Sequence, residues 1–365
     1  MSMPLYTSYP KDEYTLLKKL IQQAIQRVLD SGLYVLGPEV VAFEREFSYY
    51  CDLKYCIGVG NGTDALFLSL KALGIGPGDE VITTPMTAAY TAFAIMYCGA
   101  TPVFVDVHSD TFEIDETKIE QAITKRTKAI IPVHLFGQPC HIQSVMQIAK
   151  RHKLKVIEDC CQAHGAQVGK RRVGTFGDVA CYSFYPTKNL GGIGDGGAIL
   201  TNNKTLAKKI RLLHNGHQTS KYYHTAVGYN TRLDELQAAI LRVKLAQLDQ
   251  LLKKRQLIAS WYDQGLDSRK VVKPIVSKNV RHVYHLYVIR SKQRNALQRY
   301  LAKAGINTQV HYPWPLHKLP AFASLKKKYY LPHSEQMSQE ALSLPMYPGL
   351  TQADVRKICT IVNHG

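Results

Sequence analysis

Short apolar runs alternate with helical patterns along residues 55–201, and this alternation constrains the fold more than any other feature of the chain. The runs lie at residues 55–59, 81–84, 102–105, 129–133, 154–157, 179–184 and 198–201, and helices are predicted at 63–73, 88–97 and 142–152. Short runs that are apolar throughout are typical of strands buried on both faces of a sheet. The sequence therefore predicts an α/β fold built on a mixed, mostly parallel sheet.

Helical patterns also flank this region. Residues 13–30 and 40–50 are predicted to form amphipathic helices before it, and a long helical stripe leads from residue 233 to Trp261. Because 365 residues exceed what one hydrophobic core usually holds, we expect two domains. We predict a large domain over residues 1–250, including the N-terminal helical segment, and a smaller C-terminal α+β domain over residues 251–365.

The net charge of +18 raises the question of an anionic partner. The basic residues are spread along the chain, and the densest runs, Lys253-Lys254-Arg255 and Lys326-Lys327-Lys328, are short. This distribution is typical of a solvated surface and argues against nucleic acid as a partner.

The chain shows no pattern of a membrane or secreted protein. Its one long charge-free stretch, residues 81–105, contains Pro85, Gly99 and Pro102, and is interpreted as strand, loop, helix and strand rather than as a membrane span. Eight cysteines without a C-x-x-C pair, and an N-terminus without a signal pattern, predict a cytoplasmic protein with reduced thiols. No metal site is predicted.

Gly60-Asn61-Gly62-Thr63 links a predicted strand to a predicted helix. Free N–H groups and the positive end of the helix dipole favour an anion there, and glycine permits its close approach. This turn is therefore either a phosphate cradle or a plain helix cap. It also fits a dinucleotide fingerprint, which would favour a nicotinamide oxidoreductase. Against that reading, Asp79 lies in a turn before the next strand, whereas the acid that binds ribose should end that strand.

Asp159 and Lys188 add two further pieces of chemistry. Asp159 follows an apolar strand, where a carboxylate could keep a pyridine nitrogen protonated and make the ring an electron sink. Lys188 stands between Ser183 and a glycine-rich run, and a desolvated lysine can attack a carbonyl. Taken alone, Asp159 could instead be a helix cap, and Lys188 could be an ordinary surface lysine. The chain carries the phosphate cradle, then the acid and then the lysine, and this order along the sequence favours a site for a covalently held cofactor.

These motifs resemble the DegT/DnrJ/EryC1/StrS family of nucleotide-sugar aminotransferases that depend on pyridoxal 5'-phosphate (PLP). The resemblance is carried by residues 32–37, 62–63, 131–137, 159–164, 183–192, 228–237, 311–313 and 343–348. It implies an aspartate-aminotransferase-like fold (fold type I), PLP as cofactor and a homodimer with shared active sites. The family also contains dehydratases in which histidine replaces the lysine, and Lys188 argues against that activity.

The resemblance implies roles for individual residues around the cofactor. Lys188 would bond to PLP and move the proton in transamination, and Asp159 would pair with the pyridine nitrogen. Gln162 would hydrogen-bond the ring hydroxyl. Gly62, Thr63 and Ser183 would hold the phosphate, which Asn230 of the neighbouring subunit would also reach.

Other residues are expected to cover the ring or bind substrate. Many members of the family have an aromatic residue where this chain has Ala88, so Tyr90, two residues later, is predicted to cover the ring instead. The segments expected to line the sugar-nucleotide pocket contain Tyr34, Arg232, His311 and Tyr312.

The reaction implied by the resemblance moves an amine from L-glutamate to a keto group of a nucleotide-linked hexose, giving an amino sugar for a polysaccharide. The stretch His311-Tyr312-Pro313-Trp314-Pro315-x-His317 resembles members that act on 3-keto sugars. The preferred acceptor is a dTDP-linked 3-keto-6-deoxyhexose. A 4-keto sugar linked to dTDP or UDP is the first alternative. An NAD-dependent oxidoreductase and a catalytically silent regulator or scaffold are more distant ones.

Overall fold

The apolar runs form strands in the computed structural model of the chain, which describes residues 4–325 and 329–365. The run Lys326-Lys327-Lys328 lies outside the described residues. The strands are β1 (Tyr55–Val59), β2 (Glu80–Thr83), β3 (Thr101–Phe104), β4 (Thr127–Ile130), β5 (Lys155–Asp159), β6 (Gln167–Val168), β7 (Arg171–Arg172), β8 (Val179–Ser183), β9 (Gly197–Thr201), β10 (Gln218–Ser220), β11 (Tyr223–His224), β12 (Val280–Arg281), β13 (Tyr287–Arg290) and β14 (Ala341–Leu344).

Seven of these strands form one sheet in the order β1-β9-β8-β5-β4-β2-β3. The strands from β8 to β3 run parallel, whereas β9 is antiparallel to both β8 and β1. Neighbouring residues of β8 enter different cores, with Cys181 packing on one face beside Ile199 and Tyr182 packing on the other beside Phe47. Burial on both faces explains why the runs are apolar throughout. The predicted α/β fold with a mixed, mostly parallel sheet is confirmed.

Helices cover the sheet and build the rest of the chain. They are α1 (Pro10–Ser31), α2 (Pro38–Tyr50), α3 (Gly62–Ala72), α4 (Tyr90–Tyr97), α5 (Ile119–Ala122), α6 (Ile142–His152), α7 (Lys204–Leu213), α8 (Glu235–Leu245), α9 (Leu248–Gly265), α10 (Arg294–Lys303), α11 (Pro332–Glu340) and α12 (Gln352–His364). The helical stripe that leads to Trp261 is divided between α8 and α9, because the chain turns at Ala246 and Gln247. Of the helices in the described part of the chain, none is both long and apolar enough to cross a membrane.

A second core lies in the C-terminal part of the chain. There β13 and β14 pair antiparallel, and α10 and α12 pack with them. Helix α9 crosses the predicted boundary at residue 250. Leu248 and Leu252 pack in a core of the large sheet, whereas Ile258 and Tyr262 pack in the second core. The division at residue 250 stays a prediction, since one helix contributes to both cores.

Three chain segments meet at the carboxyl edge of the large sheet. Strands β1, β8 and β5 point the same way, because β9 is antiparallel to both of its neighbours. Strand β5 ends at Asp159, β8 ends at Ser183, and the chain enters α3 at Gly62 soon after β1. This edge is where α/β sheets bind ligands.

Glu158, the neighbour of Asp159, anchors the loop that leads into β8. Its carboxylate is fully buried and accepts hydrogen bonds from the backbone N–H groups of Gly174, Phe176 and Gly177 at 2.7–2.8 Å. His134 donates a fourth bond from Nε2 at 3.1 Å, because its Nδ1 accepts from the Cys140 N–H. The network therefore ties the strand that carries Asp159 to its surroundings.

We expect Glu158→Gln to lower the free energy of unfolding by about 3 kcal/mol, because the amide places N–H groups against buried donors. Urea unfolding followed by circular dichroism measures this change. Glu120→Gln is the control at an exposed glutamate and should leave the unfolding midpoint essentially unchanged. An unchanged midpoint for Glu158→Gln would contradict the anchoring role.

Candidate active site

The N-terminus of α3 forms an anion cradle. Asn61 caps the helix, its side chain accepting from the Asp64 N–H at 2.8 Å. Among the hydrogen bonds of the described residues, none uses the backbone N–H of Gly62 or Thr63, or the Thr63 hydroxyl. A Cβ atom on Gly62 would lie 2.8 Å from the Ser183 Cβ and 2.9 Å from the Cys161 Sγ. Glycine is therefore required where the helix start passes Ser183, and the free donors face an approaching anion.

Asp159 presents a buried carboxylate at the end of β5. Its Oδ1 accepts a hydrogen bond from the Cys161 N–H at 3.2 Å, and its Oδ2 accepts one from the Thr91 hydroxyl at 2.9 Å. Each carboxylate oxygen has a second lone pair. The two bonds fix the plane of the carboxylate and leave it able to accept a further donor.

Lys188 follows β8 in a turn where its backbone N–H donates to the Tyr185 carbonyl at 2.8 Å. The side chain is half-buried, and Nζ has no hydrogen bond or salt bridge to any described residue. Burial lowers the pKa of Lys188, against the opposing effects of Cys161 and Asp159. The Lys188 amine thus lies close enough to Asp159 to interact with it. Its lowered pKa makes the amine easier to deprotonate than that of a free lysine.

The glycine run after Lys188 is close-packed. A Cβ atom on Gly197 would lie 2.4 Å from the Asn61 carbonyl oxygen, and one on Gly192 would lie 2.5 Å from the Gln237 Oε1. Gln237 accepts a hydrogen bond from the Ile193 N–H at 2.9 Å. Helix α8 therefore holds the loop that follows the lysine against the start of α3.

Gln162 links the site to the C-terminal part of the chain. Its Oε1 accepts from the Phe136 N–H at 2.8 Å, and its Nε2 donates to the Tyr312 hydroxyl at 3.1 Å. Burial raises the pKa of Tyr312 to about 12. The Tyr312 hydroxyl is therefore protonated near neutral pH and can donate a hydrogen bond of its own.

Two histidines near Lys188 are held neutral. Burial and, to a smaller extent, the positive charge of Lys188 lower the pKa of His311 to about 4. The same two causes, in the same order, lower the pKa of His285. The His311 Nδ1 lies 2.8 Å from the Ser343 hydroxyl. At neutral pH these two imidazoles are therefore uncharged.

Asn230 and Arg232 flank a residue that binds the start of α3. The Thr231 hydroxyl accepts from the Gly60 N–H at 2.9 Å and donates to the Asp64 carboxylate at 2.6 Å. The Asn230 side chain is exposed in the single chain, and Arg232 donates to the Asn215 side chain at 2.9 Å. The predicted roles of Asn230 and Arg232 stay predictions.

Tyr34 and Tyr90 lie on the surface of the single chain. The Tyr34 carbonyl accepts from the Glu235 N–H, and the Glu235 carboxylate in turn accepts from the N–H groups of Gly37, Glu39 and Val40. Glu235 therefore caps α2 and holds the segment that carries Tyr34. The Tyr90 side chain is 61% exposed and its ring meets Phe93 edge-on. Its role over the cofactor ring stays a prediction.

Part of the predicted set lies near Asp159 and Lys188: Gly62 packs against Ser183, and Gln162 bonds Tyr312. Tyr34, Tyr90, Asn230 and Arg232 are not brought to these residues by any contact described above. Several other residues of the site were not predicted. These are Thr91 on α4, Asp64 on α3, and Glu235 and Gln237 on α8. Thr87 lies before α4 and Thr91 within it, so no periodic pattern in the sequence indicated that their hydroxyls meet.

The residues present fit PLP. Free N–H groups and the Ser183 and Thr63 hydroxyls match a phosphate, the Asp159 carboxylate matches a protonated ring nitrogen, and the unpaired Lys188 amine matches an aldehyde. The close approach at Gly62 leaves backbone rather than a side chain to face the phosphate. The donor set therefore has the chemistry of a site for a phosphorylated pyridine aldehyde.

Two groups of metal-ligand side chains also occur in the described part of the chain. His134, Glu158 and Cys160 are buried, and the bonds of Glu158 described above account for this group. His108, Glu116 and His141 lie near the surface, and Glu116 bonds both imidazoles at 2.7 and 3.0 Å. Hydrogen bonds between protein groups thus explain both arrangements.

Comparison with known proteins extends these observations. The model of the DegT/DnrJ/EryC1/StrS aminotransferase family matches residues 15–363. A dTDP-3-amino-3,6-dideoxy-alpha-D-galactopyranose transaminase from Aneurinibacillus thermoaerophilus is 49% identical over 346 residues, which is 95% of each chain. A protein named as a pleiotropic regulatory protein, from Geobacillus stearothermophilus, is 46% identical over 97% of each chain. The crystal structure of S. venezuelae DesV in complex with a ketimine intermediate superposes with a TM-score of 0.97 at 42% identity, covering 100% of this chain and 98% of that one.

Proposed function

Since this chain belongs to the DegT/DnrJ/EryC1/StrS aminotransferase family, we propose that it transfers an amine to the 3-keto group of a dTDP-linked 6-deoxyhexose. The resemblance found in the sequence is confirmed, and the protein is a PLP-dependent aminotransferase with the fold of its structural neighbours. The observation that carries the choice of acceptor is the 49% identity, over nearly the whole chain, to a relative named for a dTDP-3-amino sugar.

The alternative activities have less support. Asp79, the acid that an oxidoreductase would need at the end of a strand, accepts from the Gly76 N–H at 3.0 Å in a turn before β2. The regulatory name of one relative does not favour a silent scaffold, because this chain keeps the amine of Lys188 unpaired beside Asp159. The 4-keto acceptor is not favoured by the relatives named for 3-amino sugars.

The side chains of the site have separable tasks in this reaction. PLP, when bound, carries the amine and withdraws electrons from the carbon that loses a proton. The N–H groups of Gly62 and Thr63 and the Ser183 hydroxyl would bind its phosphate. Asp159 would pair with the ring nitrogen, and Gln162 would hydrogen-bond the ring hydroxyl. Lys188 takes the proton from one carbon and returns it to the other, which its lowered pKa favours.

L-glutamate is proposed as the amine donor, so that 2-oxoglutarate is the first product. Tyr34, Arg232, His311 and Tyr312 are proposed to line the sugar-nucleotide pocket. The Gln162–Tyr312 bond and the Lys188–His311 interaction support the last two, because both residues then lie beside the cofactor site. The amino sugar is proposed to serve polysaccharide synthesis, with the enzyme acting in the cytoplasm.

Rates with a panel of nucleotide sugars test the acceptor. We expect kcat/KM for a dTDP-3-keto-6-deoxyhexose, with L-glutamate, to exceed that for the 4-keto isomer by at least about a hundredfold, because a pocket that hydrogen-bonds a sugar discriminates strongly against misplaced polar groups. UDP-linked sugars of both types are the controls for the nucleotide. A higher kcat/KM with a 4-keto sugar would overturn the choice of acceptor.

A homodimer with shared active sites is also proposed. Asn230 is exposed in the single chain, although the next residue, Thr231, bonds Gly60 and Asp64 at the start of α3. The segment from Leu33 to Leu36 exposes four consecutive apolar side chains, each more than 40% exposed. A symmetric partner would bury such a surface and could bring its Asn230 to this cofactor's phosphate.

Mixing two inactive variants tests the shared site. Lys188→Ala and Asn230→Ala should each have low activity alone, the second at limiting PLP. After subunit exchange, the mixture should recover up to about a quarter of the wild-type activity, because half of the dimers then hold one intact site. Exchange is verified by native mass spectrometry. Mixed dimers without recovered activity would contradict the role of the partner's Asn230.

A further inference from the structure

We propose that Thr91 is a positioning residue that orients the Asp159 carboxylate toward the ring nitrogen of the cofactor, with Thr87 orienting Thr91 in turn. This inference rests on the proposed function, because it assigns Asp159 to that nitrogen. Thr91 touches Asp159 and not the reacting carbons, so its effect on the reaction passes through the carboxylate.

The hydrogen-bond directions follow from the chemistry of the groups. The Thr91 hydroxyl has one proton and gives it to the Asp159 Oδ2, which as a carboxylate oxygen can only accept. The Thr87 and Thr91 hydroxyl oxygens lie 3.3 Å apart, so the Thr87 hydroxyl is the donor in that pair. The chain of bonds therefore runs from Thr87 through Thr91 to Asp159.

The surroundings hold these hydroxyls in place. Thr87 and Thr91 are each only 2% exposed, so water does not compete for their bonds. Thr91 is the second residue of α4, and its neighbour Ala92 is fully buried, as is Ile95 one turn later. A β-branched side chain on a packed helix has few rotamers. The donor to Oδ2 is therefore preorganised before any cofactor binds.

The hydrogen bond to the other carboxylate oxygen, Oδ1, explains why losing the Thr91 donor would matter. The Cys161 N–H holds Oδ1 from the same loop, at 3.2 Å, and so constrains one end of the carboxylate. Without Thr91 the carboxylate could rotate about that single bond. The ionisable groups that face Asp159 from the surrounding elements are Lys188, Cys161, Cys160, Cys181 and Tyr312. A rotated carboxylate would lose the orientation that Thr91 and the Cys161 N–H impose together.

Variants of Thr91 test the inference with purified protein and PLP. Thr91→Val keeps the shape and removes the hydroxyl, and Thr91→Ser keeps the hydroxyl. We expect Thr91→Val to weaken the affinity of the apo-enzyme for PLP by about tenfold. The 15N chemical shift of ring-labelled PLP should show that the ring nitrogen loses its proton at a lower pH than in wild type. Thr91→Ser should restore both properties, and Thr87→Val should change both in the same direction by less.

Thr83→Val is the matched control. Thr83 is also fully buried, and its hydroxyl donates to the Ile131 carbonyl at 2.9 Å, away from Asp159. This variant should lower the melting temperature as Thr91→Val does, with PLP affinity and the 15N titration as in wild type. Wild-type values for folded Thr91→Val would overturn the inference and leave the proposed function intact. If Thr91→Val does not fold, unchanged values for Thr87→Val overturn it. A wild-type protein that binds no PLP would instead overturn the proposed function.

Discussion

Lys188→Ala is expected to lower the rate of amine transfer by at least about three orders of magnitude, because it removes both the covalent attachment and the proton carrier. The structure places this amine half-buried and without a partner among the described residues, beside Asp159. No other lysine lies in the turn between β8 and β9. Another side chain is therefore not expected to replace it.

Single-turnover measurement of amino-sugar formation, together with borohydride reduction and mass spectrometry, tests this expectation. Reduction should attach a cofactor-sized mass to Lys188 in wild type and to no lysine in the variant. Lys170→Ala, at an exposed lysine between β6 and β7, is the control and should retain wild-type activity and labelling. A cofactor mass on another lysine, or a wild-type rate for Lys188→Ala, would contradict the assignment of Lys188 as the residue that bonds PLP and carries the proton.

Asp159→Asn should be the second most damaging substitution. The amide keeps the shape of the carboxylate and can still accept from Thr91, but it lacks the negative charge that keeps the ring nitrogen protonated. We expect kcat to fall by about a hundredfold to a thousandfold, because an unprotonated ring is a weaker electron sink. Binding of PLP should weaken less than catalysis, since the phosphate contacts at Gly62 and Ser183 remain.

Steady-state kinetics and the 15N shift of the ring nitrogen separate these effects. The shift should report an unprotonated nitrogen in Asp159→Asn at neutral pH. Asp110→Asn, at an exposed aspartate, is the control for loss of one negative charge. Were the nitrogen to remain protonated in Asp159→Asn, Asp159 would not be its partner, and the geometry proposed for Thr91 would lose its basis.

Much of the architecture was predictable because it depends on short-range patterns. Apolar runs predicted every strand of the large sheet to within a few residues, since a strand buried on both faces must be apolar along its whole length. The helical stripe near Trp261 is the exception. Its spacing continues across Ala246 and Gln247, where the chain turns so that α8 packs on α1 and α2 and α9 packs on α12. A periodic apolar pattern alone does not indicate where the helix breaks or which helices its two parts will pack against.

By itself, the sequence determined the sheet and the strand ends and predicted the reactive side chains, because alternation, glycines and a lysine between them are local properties. Only the tertiary structure decided which groups support them. Thr91 and Asp159 are 68 residues apart, Gln162 and Tyr312 are 150 apart, and Asp64 and Thr231 are 167 apart. Such bonds depend on where folding places two distant segments to within a fraction of an ångström, and no local periodicity encodes that distance.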